Sequence, residues 1–341
     1  MNMPMRLAYC VMLILALVPQ WAGDTQLPLL RARPIFTAAP VALVPGNPAI
    51  TQIGALIFER GYRLTSPDQA FGGFSSLSVE KDRFTLLSDG GNIVRFRLDS
   101  AGRLSERSFA ELPAGPGSGW SKTDRDSESM TRNPHTGQIW LGFERANAIW
   151  RFGPGFAHAE RHANPPAMRD WPENGGPEAM VRLRDGRFLV ISEIQRVRGY
   201  STREGLLFSH DPTTSDRRGF RFVYKTRPDF SPTDIAELPS GDFILLNRHF
   251  RWRRGFEATV SIISRRAIRP GAYVRSEEIA RFEQPFLHEN FEGIAVVPDE
   301  KGTAIWIVSD DNQSMLQQSL LLKFRLDPAW RPHSGGPWHG Q

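Results

Sequence analysis

Acidic residues recur along this 341-residue chain at a nearly constant interval, and each occupies the same place in a short apolar pattern. One set of residues opens an apolar run. It comprises Glu128, Glu178, Asp234 and Glu292, and Ser76 takes the place of an acidic residue in the first unit. A second set ends the next apolar run. It comprises Asp89, Glu144, Glu193 and Asp310, with Arg248 in place of an acidic residue in the fourth unit. Carboxylate oxygens are the ligands that Ca²⁺ prefers, so a fold that gathers these residues would create a metal site.

The apolar runs between these residues predict pairs of antiparallel β-strands. Successive members of the first set are 52, 50, 56 and 58 residues apart, and most second strands follow a glycine, as a tight hairpin turn requires. The predicted second strands span residues 84–89, 139–144, 188–193, 243–248 and 305–310. Third strands are predicted at 93–98, 148–152, 205–208, 260–264 and 320–326, and fourth strands at 103–112, 220–224 and 277–282.

Four strands in a unit that repeats every 50–60 residues predict an all-β fold, a β-propeller of four-stranded blades. Five blades are visible, and a sixth requires that residues 24–50 contribute strands. The strand predicted at residues 53–64 precedes the first blade, so we expect it to close the ring as the outer strand of the last blade.

Four segments are predicted along the chain. Residues 1–23 resemble an export signal, with Arg6 before an apolar run at residues 7–18, and the single cysteine, Cys10, lies within it. Residues 24–50 form a Pro/Ala-rich arm or linker, residues 51–328 the propeller and residues 329–341 a C-terminal tail. We therefore expect a periplasmic or secreted monomer with no stable membrane span once the signal is removed.

Composition argues against a nucleic-acid partner. The formal net charge is only +5, and no basic stripe with interleaved aromatic residues recurs from blade to blade. The chain also lacks the G-x-S-x-G, H-E-x-x-H, Walker and C-x-x-C motifs.

In a propeller the first strand lines the central channel and the second runs antiparallel to it. The start of one and the end of the other therefore lie at the same channel mouth. Crowded carboxylates raise one another's pKa, and a divalent metal, Ca²⁺ above all, relieves this repulsion. The predicted metal ligands are Glu128, Glu178, Asp234, Glu292, Asp89 and Asp310.

The fourth unit departs from this acidic pattern. It carries Arg248 at the end of its second strand, followed by His249 and Arg251. These residues are suited to binding a phosphate or carboxylate beside the metal. Asn312, in the fifth unit, is a further predicted ligand-binding residue. The acidic residues have an alternative role that the sequence leaves open, because polar side chains at blade ends also hold a ring together by bonding backbone amides of neighbouring blades.

Several motifs resemble those of the phytase-like proteins, a family described by its "esterase-like activity of phytase". The repeated motifs are residues 126–130, 176–180, 232–236 and 290–295, with 72–77 and 309–312 fitting the same pattern. The resemblance covers about residues 50–328 and implies an exported propeller that hydrolyses phosphate or other esters. Ser76 and Arg248 depart from the acidic pattern, so not every blade can supply a metal ligand.

Together these observations predict a metal-dependent hydrolase of a small-molecule ester or phosphoester. Glu193 or Glu144 is the expected general base, and Arg248 the group that stabilises the developing anion. Two alternatives stay open. A calcium-dependent lactonase-like propeller fits Asn247 and Asn312, and a non-catalytic ligand-binding or scaffold propeller fits the fold equally well.

Overall fold

The computed structural model describes residues 27–197, 199–214, 218–253, 255–314 and 316–331. The predicted signal at residues 1–23 and most of the C-terminal tail lie outside the described residues. Among the residues described, no helix combines the length and the apolar character that crossing a membrane requires.

The described chain is built almost entirely of β-strands. Three strands come first, β1 (Thr37–Val41), β2 (Gln52–Ile53) and β3 (Leu56–Thr65). Blade 1 contains β4 (Phe74–Glu80), β5 (Arg83–Ser88), β6 (Asn92–Leu98) and β7 (Leu104–Glu111). Blade 2 contains β8 (Ser127–Arg132), β9 (Ile139–Phe143), β10 (Ala148–Phe152) and β11 (Ala159–Ala163). Blade 3 contains β12 (Ala179–Arg182), β13 (Phe188–Ile191), β14 (Thr202–Phe208) and β15 (Gly219–Lys225).

The last two blades complete the series. Blade 4 contains β16 (Ser231–Glu237), β17 (Phe243–Arg251), β18 (Gly255–Ile263) and β20 (Glu277–Phe282). In the connection before β20, the short strand β19 (Tyr273–Arg275) pairs in parallel with β15 of blade 3. Blade 5 contains β21 (Asn290–Asp299), β22 (Gly302–Asp310) and β23 (Ser319–Leu326), and its fourth strand is β3.

The five blades form a propeller, as the repeat predicts. The first strands β4, β8, β12 and β16 contact one another in succession, and β21 contacts both β16 and β4, so the ring is closed. Residues 24–50 do not build a sixth blade among the described residues, because their strand β1 pairs with β3 at the outside of blade 5.

Ring closure also follows the sequence expectation. Strand β3 runs antiparallel to β23, from the pair Ser319–Leu64 to the pair Leu326–Leu56. The first and last parts of the described propeller are thus joined in one sheet, and β23 has hydrogen-bonded neighbours on both sides.

One fourth strand escaped the sequence prediction. Strand β11 in blade 2 has the sequence Ala-Glu-Arg-His-Ala, which lacks apolar residues large enough to show an alternating pattern. Its side chains are partly or fully exposed, as suits the outermost strand of a blade.

The apolar second strands form much of the core between blades. The aromatic residues of these strands are all buried: Phe84, Trp140, Phe188, Phe243 and Trp306. Phe84 of blade 1 meets Trp306 of blade 5 edge to face, with 4.8 Å between ring centroids. Trp140 of blade 2 meets Phe188 of blade 3 in the same way at 5.1 Å. Such pairs fix the spacing of the blades and hence of the side chains at the channel mouth.

Candidate metal centre at the channel mouth

A β-bulge places the acidic residue of the first strand at the channel mouth in blades 2 and 5. In blade 5, Phe291 pairs with Ser309 and Gly293 with Val308, so Glu292 is an extra residue between two ladder pairs. Glu128 occupies the same position in blade 2. A bulge bends its strand and turns the extra side chain away from the regular alternation. Glu178 of blade 3 holds the equivalent place, directly before the first residue of β12.

The same ladder register corrects the sequence alignment in blades 1 and 4. There the extra residues are Ser75 and Thr233. Ser76 and Asp234, aligned with the glutamates from sequence, lie one residue farther along the strand, so that alignment is wrong by one position. The acidic residue is therefore present at this position in blades 2, 3 and 5 only.

Asp234 uses both of its carboxylate oxygens on backbone amides. Oδ1 accepts a hydrogen bond from the N–H of Ile235 at 2.7 Å, and Oδ2 accepts one from the N–H of Ile294 in blade 5 at 2.8 Å. Burial raises the pKa of Asp234 well above its usual range, although the two amides oppose that shift. This predicted metal ligand therefore joins blade 4 to blade 5, which is the alternative role that the sequence leaves open.

Five other carboxylates surround one cavity of about 290 Å³ at the channel mouth. Asp126, Glu128 and Glu144 form one group and Glu144, Glu178 and Glu193 another, and within each group the ligand oxygens lie within 4.8 Å of one another. We call the cavity with these five residues the acidic mouth. Its lining contains no histidine or cysteine, so the protein ligands that it offers are oxygen atoms.

Arg248 enters the acidic mouth from blade 4. Its Nη2 donates to Oε1 of Glu193 in blade 3 at 3.3 Å, and its Nε lies 3.0 Å from Oε1 of Glu292 in blade 5. That Nε is buried and makes no hydrogen bond with any described residue, because the approach of Glu292 falls outside hydrogen-bonding geometry. Although burial opposes the charged form, the surrounding carboxylates hold the pKa of Arg248 above its usual range, so the guanidinium stays charged.

Burial and mutual repulsion raise the pKa of the glutamates. Burial, then Asp126 and Glu193, raise the pKa of Glu144 to about 8. Burial raises the pKa of Glu292 to about 8 even though Arg248 opposes the shift. Burial is again the largest cause for Glu128 and Glu178, and both pKa values lie well above their usual range. The charge of Glu178 comes next for Glu128, and the charges of Glu193 and Glu144 come next for Glu178. At neutral pH the folded chain therefore holds protons here unless a cation replaces them.

Asp89 and Asp310, also predicted as metal ligands, lie beside the acidic mouth rather than in its lining. Asp89 forms an ion pair with Lys122. Asp310 accepts hydrogen bonds from the backbone N–H of Asn312 at 2.6 Å and from Nδ2 of Asn290 at 3.2 Å. Burial, and next the charge of Asp89, raise the pKa of Asp310 to about 6.

The other residues predicted to bind ligand do not line the acidic mouth. Nδ1 of His249 lies 2.7 Å from the carbonyl oxygen of Asp229. Arg251 is paired with Glu257 at 3.5 Å, and Asn312 donates through Nδ2 to Gln317 at 2.6 Å. Of the predicted anion-binding residues, the structure brings only Arg248 to the carboxylates.

Sequence reasoning gave no role to several residues of the lining. Asp126 accepts a hydrogen bond from Arg145 at 3.1 Å, and its backbone oxygen accepts one from the N–H of Glu144 at 2.9 Å. The sequence signal for it was present, since Asp126 stands two residues before Glu128. Lys122 and Asn174 also line the cavity. Both lie in the segments that precede a first strand, Lys122 in a short helical turn, and these segments are not part of the repeated pattern.

Comparisons with known proteins agree with this architecture. The family model for phytase-like proteins, described as "Esterase-like activity of phytase", matches residues 69–313. No curated protein matches the sequence significantly.

Similar solved structures are distant. Hydrazine synthase of Kuenenia stuttgartiensis shares 13% identity over 70% of this chain and 77% of its own, with a TM-score of 0.41. A putative exported protein of Bacteroides fragilis shares 10% over 80% of this chain and 95% of its own, with a TM-score of 0.38. The extracellular domain of a putative hybrid two-component system of B. thetaiotaomicron shares 12% over 83% of this chain and 39% of its own, with a TM-score of 0.37. Similarity this low says nothing about activity.

Proposed function

Because this chain belongs to the phytase-like family, we propose that it hydrolyses phosphate or other esters at the acidic mouth of its propeller. The observation that carries the proposal is the meeting of two three-carboxylate groups and one partly buried arginine at a single cavity. Pairs of titratable groups with strongly shifted pKa values are typical of catalytic sites. A cavity of about 290 Å³ has room for the ester end of a substrate, with the remainder outside.

The donor set fits a hard divalent cation such as Ca²⁺. Glu128 and Glu178 have no ion pair and no side-chain hydrogen bond within the described residues, so their oxygens are free to bind one. Carboxylates crowded at one cavity repel one another, and an oxygen-binding cation relieves that repulsion. We assign Glu144, which belongs to both groups, and Glu178 of the second group to holding the cation, with Glu128 of the first group at its other side. When bound, the cation supplies Lewis acidity toward the ester oxygen and toward water.

The remaining groups perform proton transfer and charge stabilisation. Glu193 lies next to Glu144 and Glu178 and is hydrogen-bonded to Arg248, so we assign it to accepting the proton of the attacking water. Arg248 stays charged and lies where the substrate's negative charge develops, so it stabilises the transition state.

Hydrolysis of p-nitrophenyl phosphate and p-nitrophenyl acetate, with and without Ca²⁺, tests the activity. We expect Glu193→Gln to lower kcat about 100-fold or more. Arg248→Met should lower kcat about 100-fold, with a smaller effect on KM. The exposed residue Glu106, outside this cavity, gives the matched control Glu106→Gln, which should leave both constants unchanged. Activity that survives chelation and both mouth substitutions would overturn the proposal.

Cation binding is tested separately by thermal unfolding. Ca²⁺ should raise the Tm of the wild-type chain, since a ligand that binds the folded state stabilises it. Glu178→Gln should abolish the shift, and Glu106→Gln should retain it. A Tm shift without hydrolysis of any ester would favour the alternative of a binding propeller, and absence of both would refute the metal centre.

Export is the remaining part of the proposal. Its support is the sequence of residues 1–23, with Arg6 before the apolar run. Cell fractionation of the tagged full-length chain should recover it in the periplasm or the medium. The substitution Leu13→Asp, which interrupts the apolar run, should retain it in the cytoplasm. Equal distribution of the two chains would contradict export by this segment.

A further inference from the structure

A second cavity, of about 610 Å³, lies between blades 3 and 4 and shares no lining residue with the acidic mouth. Strands β15 and β19 form one wall and β17, β18 and β20 the other. We call it the interblade cleft. Its volume falls in the range of small-molecule sites, about 300–1,000 Å³.

The base of the interblade cleft is polar and buried. Thr259 and Ser261 on β18 are 2% and 4% exposed, and neither hydroxyl makes a hydrogen bond within the described residues. Asn247, 3% exposed, accepts a hydrogen bond from the Tyr224 hydroxyl at 2.9 Å, while its amide NH₂ has no acceptor among the described residues. These polar atoms line the cavity and are open to it, so they are available to hydrogen-bond a polar occupant.

The opening of the cleft is strongly basic. Lys225 and Arg275 face each other on the parallel strands β15 and β19, and neither has an ion-pair partner within the described residues. Like charges directly opposite on neighbouring strands repel. The lining also includes Arg227 and Arg281, which share the carboxylate of Glu278 at 3.3 and 2.5 Å. Four cations against one carboxylate leave an excess of positive charge that favours an anion.

We propose that the interblade cleft binds a small polyhydroxylated organic anion. Its charged group, a carboxylate or a phosphate, lies between Lys225 and Arg275 and relieves their repulsion. Its hydroxyls bond to Thr259, Ser261 and the free NH₂ of Asn247 at the base. The cleft is independent of the proposed hydrolysis, because it has a separate set of lining residues.

Gluconate and sorbitol test the proposal by calorimetric titration of the full chain. The two molecules have the same six-carbon polyol skeleton and differ in the carboxylate, and neither contains an ester that the acidic mouth would cleave. We expect gluconate to bind and sorbitol not to bind. Glucose 6-phosphate, titrated into the Arg248→Met chain, should bind as gluconate does. If neither anion binds, or if sorbitol binds as tightly as gluconate, the proposal is wrong.

Variants then locate the site. Lys225→Met with Arg275→Gln should weaken gluconate binding about tenfold or more, and Thr259→Val, which preserves side-chain shape, should weaken it severalfold. Arg63→Gln with Arg161→Gln removes two exposed positive charges from other blades and should leave binding unchanged. Equal weakening by the two double variants would show that binding follows net charge rather than the cleft, and would overturn the proposal. Unfolding curves confirm that each variant is folded.

Discussion

The buried glutamates of the channel mouth link the stability of the metal-free protein to pH. The pKa of Glu144 and that of Glu292 are each raised from 4.5 to about 8. Between those values the folded state binds more protons than the unfolded chain, so the free energy of unfolding decreases as pH rises. Their stabilising contribution is fully present below about pH 4.5 and is lost as pH rises through about 8.

We therefore expect the chelated protein to lose about 2 kcal/mol or more of unfolding free energy between pH 5 and pH 8. Urea denaturation at several pH values measures this change. The Glu292→Gln chain should show a smaller change, because its amide does not titrate. Ca²⁺ at pH 8 should restore stability by binding the ionised carboxylates. Stability that rises over this interval in the absence of metal would contradict the argument.

Asp234 provides a contrasting prediction, since its two oxygens bond to the backbone amides of Ile235 and Ile294. Asp234→Ala leaves both buried amides without an acceptor and should cost about 2–4 kcal/mol of unfolding free energy. Asp234→Asn keeps one acceptor and should cost less. Chemical denaturation measures both costs.

The Ca²⁺-induced rise in Tm separates this role from metal ligation. It should persist in both Asp234 variants, whereas it should disappear in Glu178→Gln. Loss of the shift in Asp234→Asn, with stability otherwise retained, would restore Asp234 to the set of metal ligands.

For individual residues, the sequence predicted which carboxylates lie together more accurately than it predicted the role of each one. Glu128, Glu144, Glu178 and Glu193 lie together as the repeats indicate. Asp234 does not join them, because one residue of ladder register separates a channel-facing side chain from one that bonds the next blade. A single-residue shift leaves no trace in an apolar pattern.

At the scale of elements, a helical turn at Lys122–Arg125 brings a positive charge to the carboxylates before β8. Lys122 pairs with Asp89, and although burial opposes the charged form, Asp89, Asp126 and Glu128 keep its pKa above the usual range. The positive charge of Lys122 would repel a cation bound in the acidic mouth. We expect Lys122→Met to tighten Ca²⁺ binding severalfold, as measured by calorimetry.

The control for that prediction removes a positive charge elsewhere. Arg103 is 82% exposed, and among the described residues its one ion pair is with Asp99 in the loop of blade 1. Arg103→Met should therefore leave the Ca²⁺ affinity unchanged. Weaker Ca²⁺ binding in Lys122→Met would show instead that Lys122 is needed to position Asp89.

Elements with a strong apolar pattern were predictable and the others were not. The third strand of blade 2 has the predicted bounds, 148–152, because apolar residues lie at both of its ends. Strand β11 and the helical turn before β8 have mostly polar residues and depend on their neighbours for order, so local sequence gave no signal. The interblade cleft arises from the meeting of two blades, which no single repeat encodes.

At the scale of the whole molecule, the ring depends on β3. Its residues Leu56, Tyr62 and Leu64 are 0%, 6% and 2% exposed, and its partner β23 contains residues that are fully buried. Without β3, blade 5 would keep three strands and expose the edge of β23. Strand β1 contributes less, because β3 is its one partner among the described strands and it is partly exposed.

Two truncations distinguish these contributions. A chain that begins at residue 51 retains β2 and β3, and we expect it to unfold cooperatively at a lower Tm, since it loses the buried side chains of Phe36 and Leu43. A chain that begins at residue 67 lacks β3 and should lose cooperative unfolding and aggregate through the open edge. Circular dichroism melts and size-exclusion chromatography measure both outcomes.

A synthetic peptide of residues 51–66, added to the shorter chain during refolding, should pair with β23 and recover soluble protein, because strand addition to an open edge restores the missing hydrogen bonds. Cooperative unfolding of the shorter chain without the peptide would show that the five-bladed ring closes through the contacts of its first strands alone.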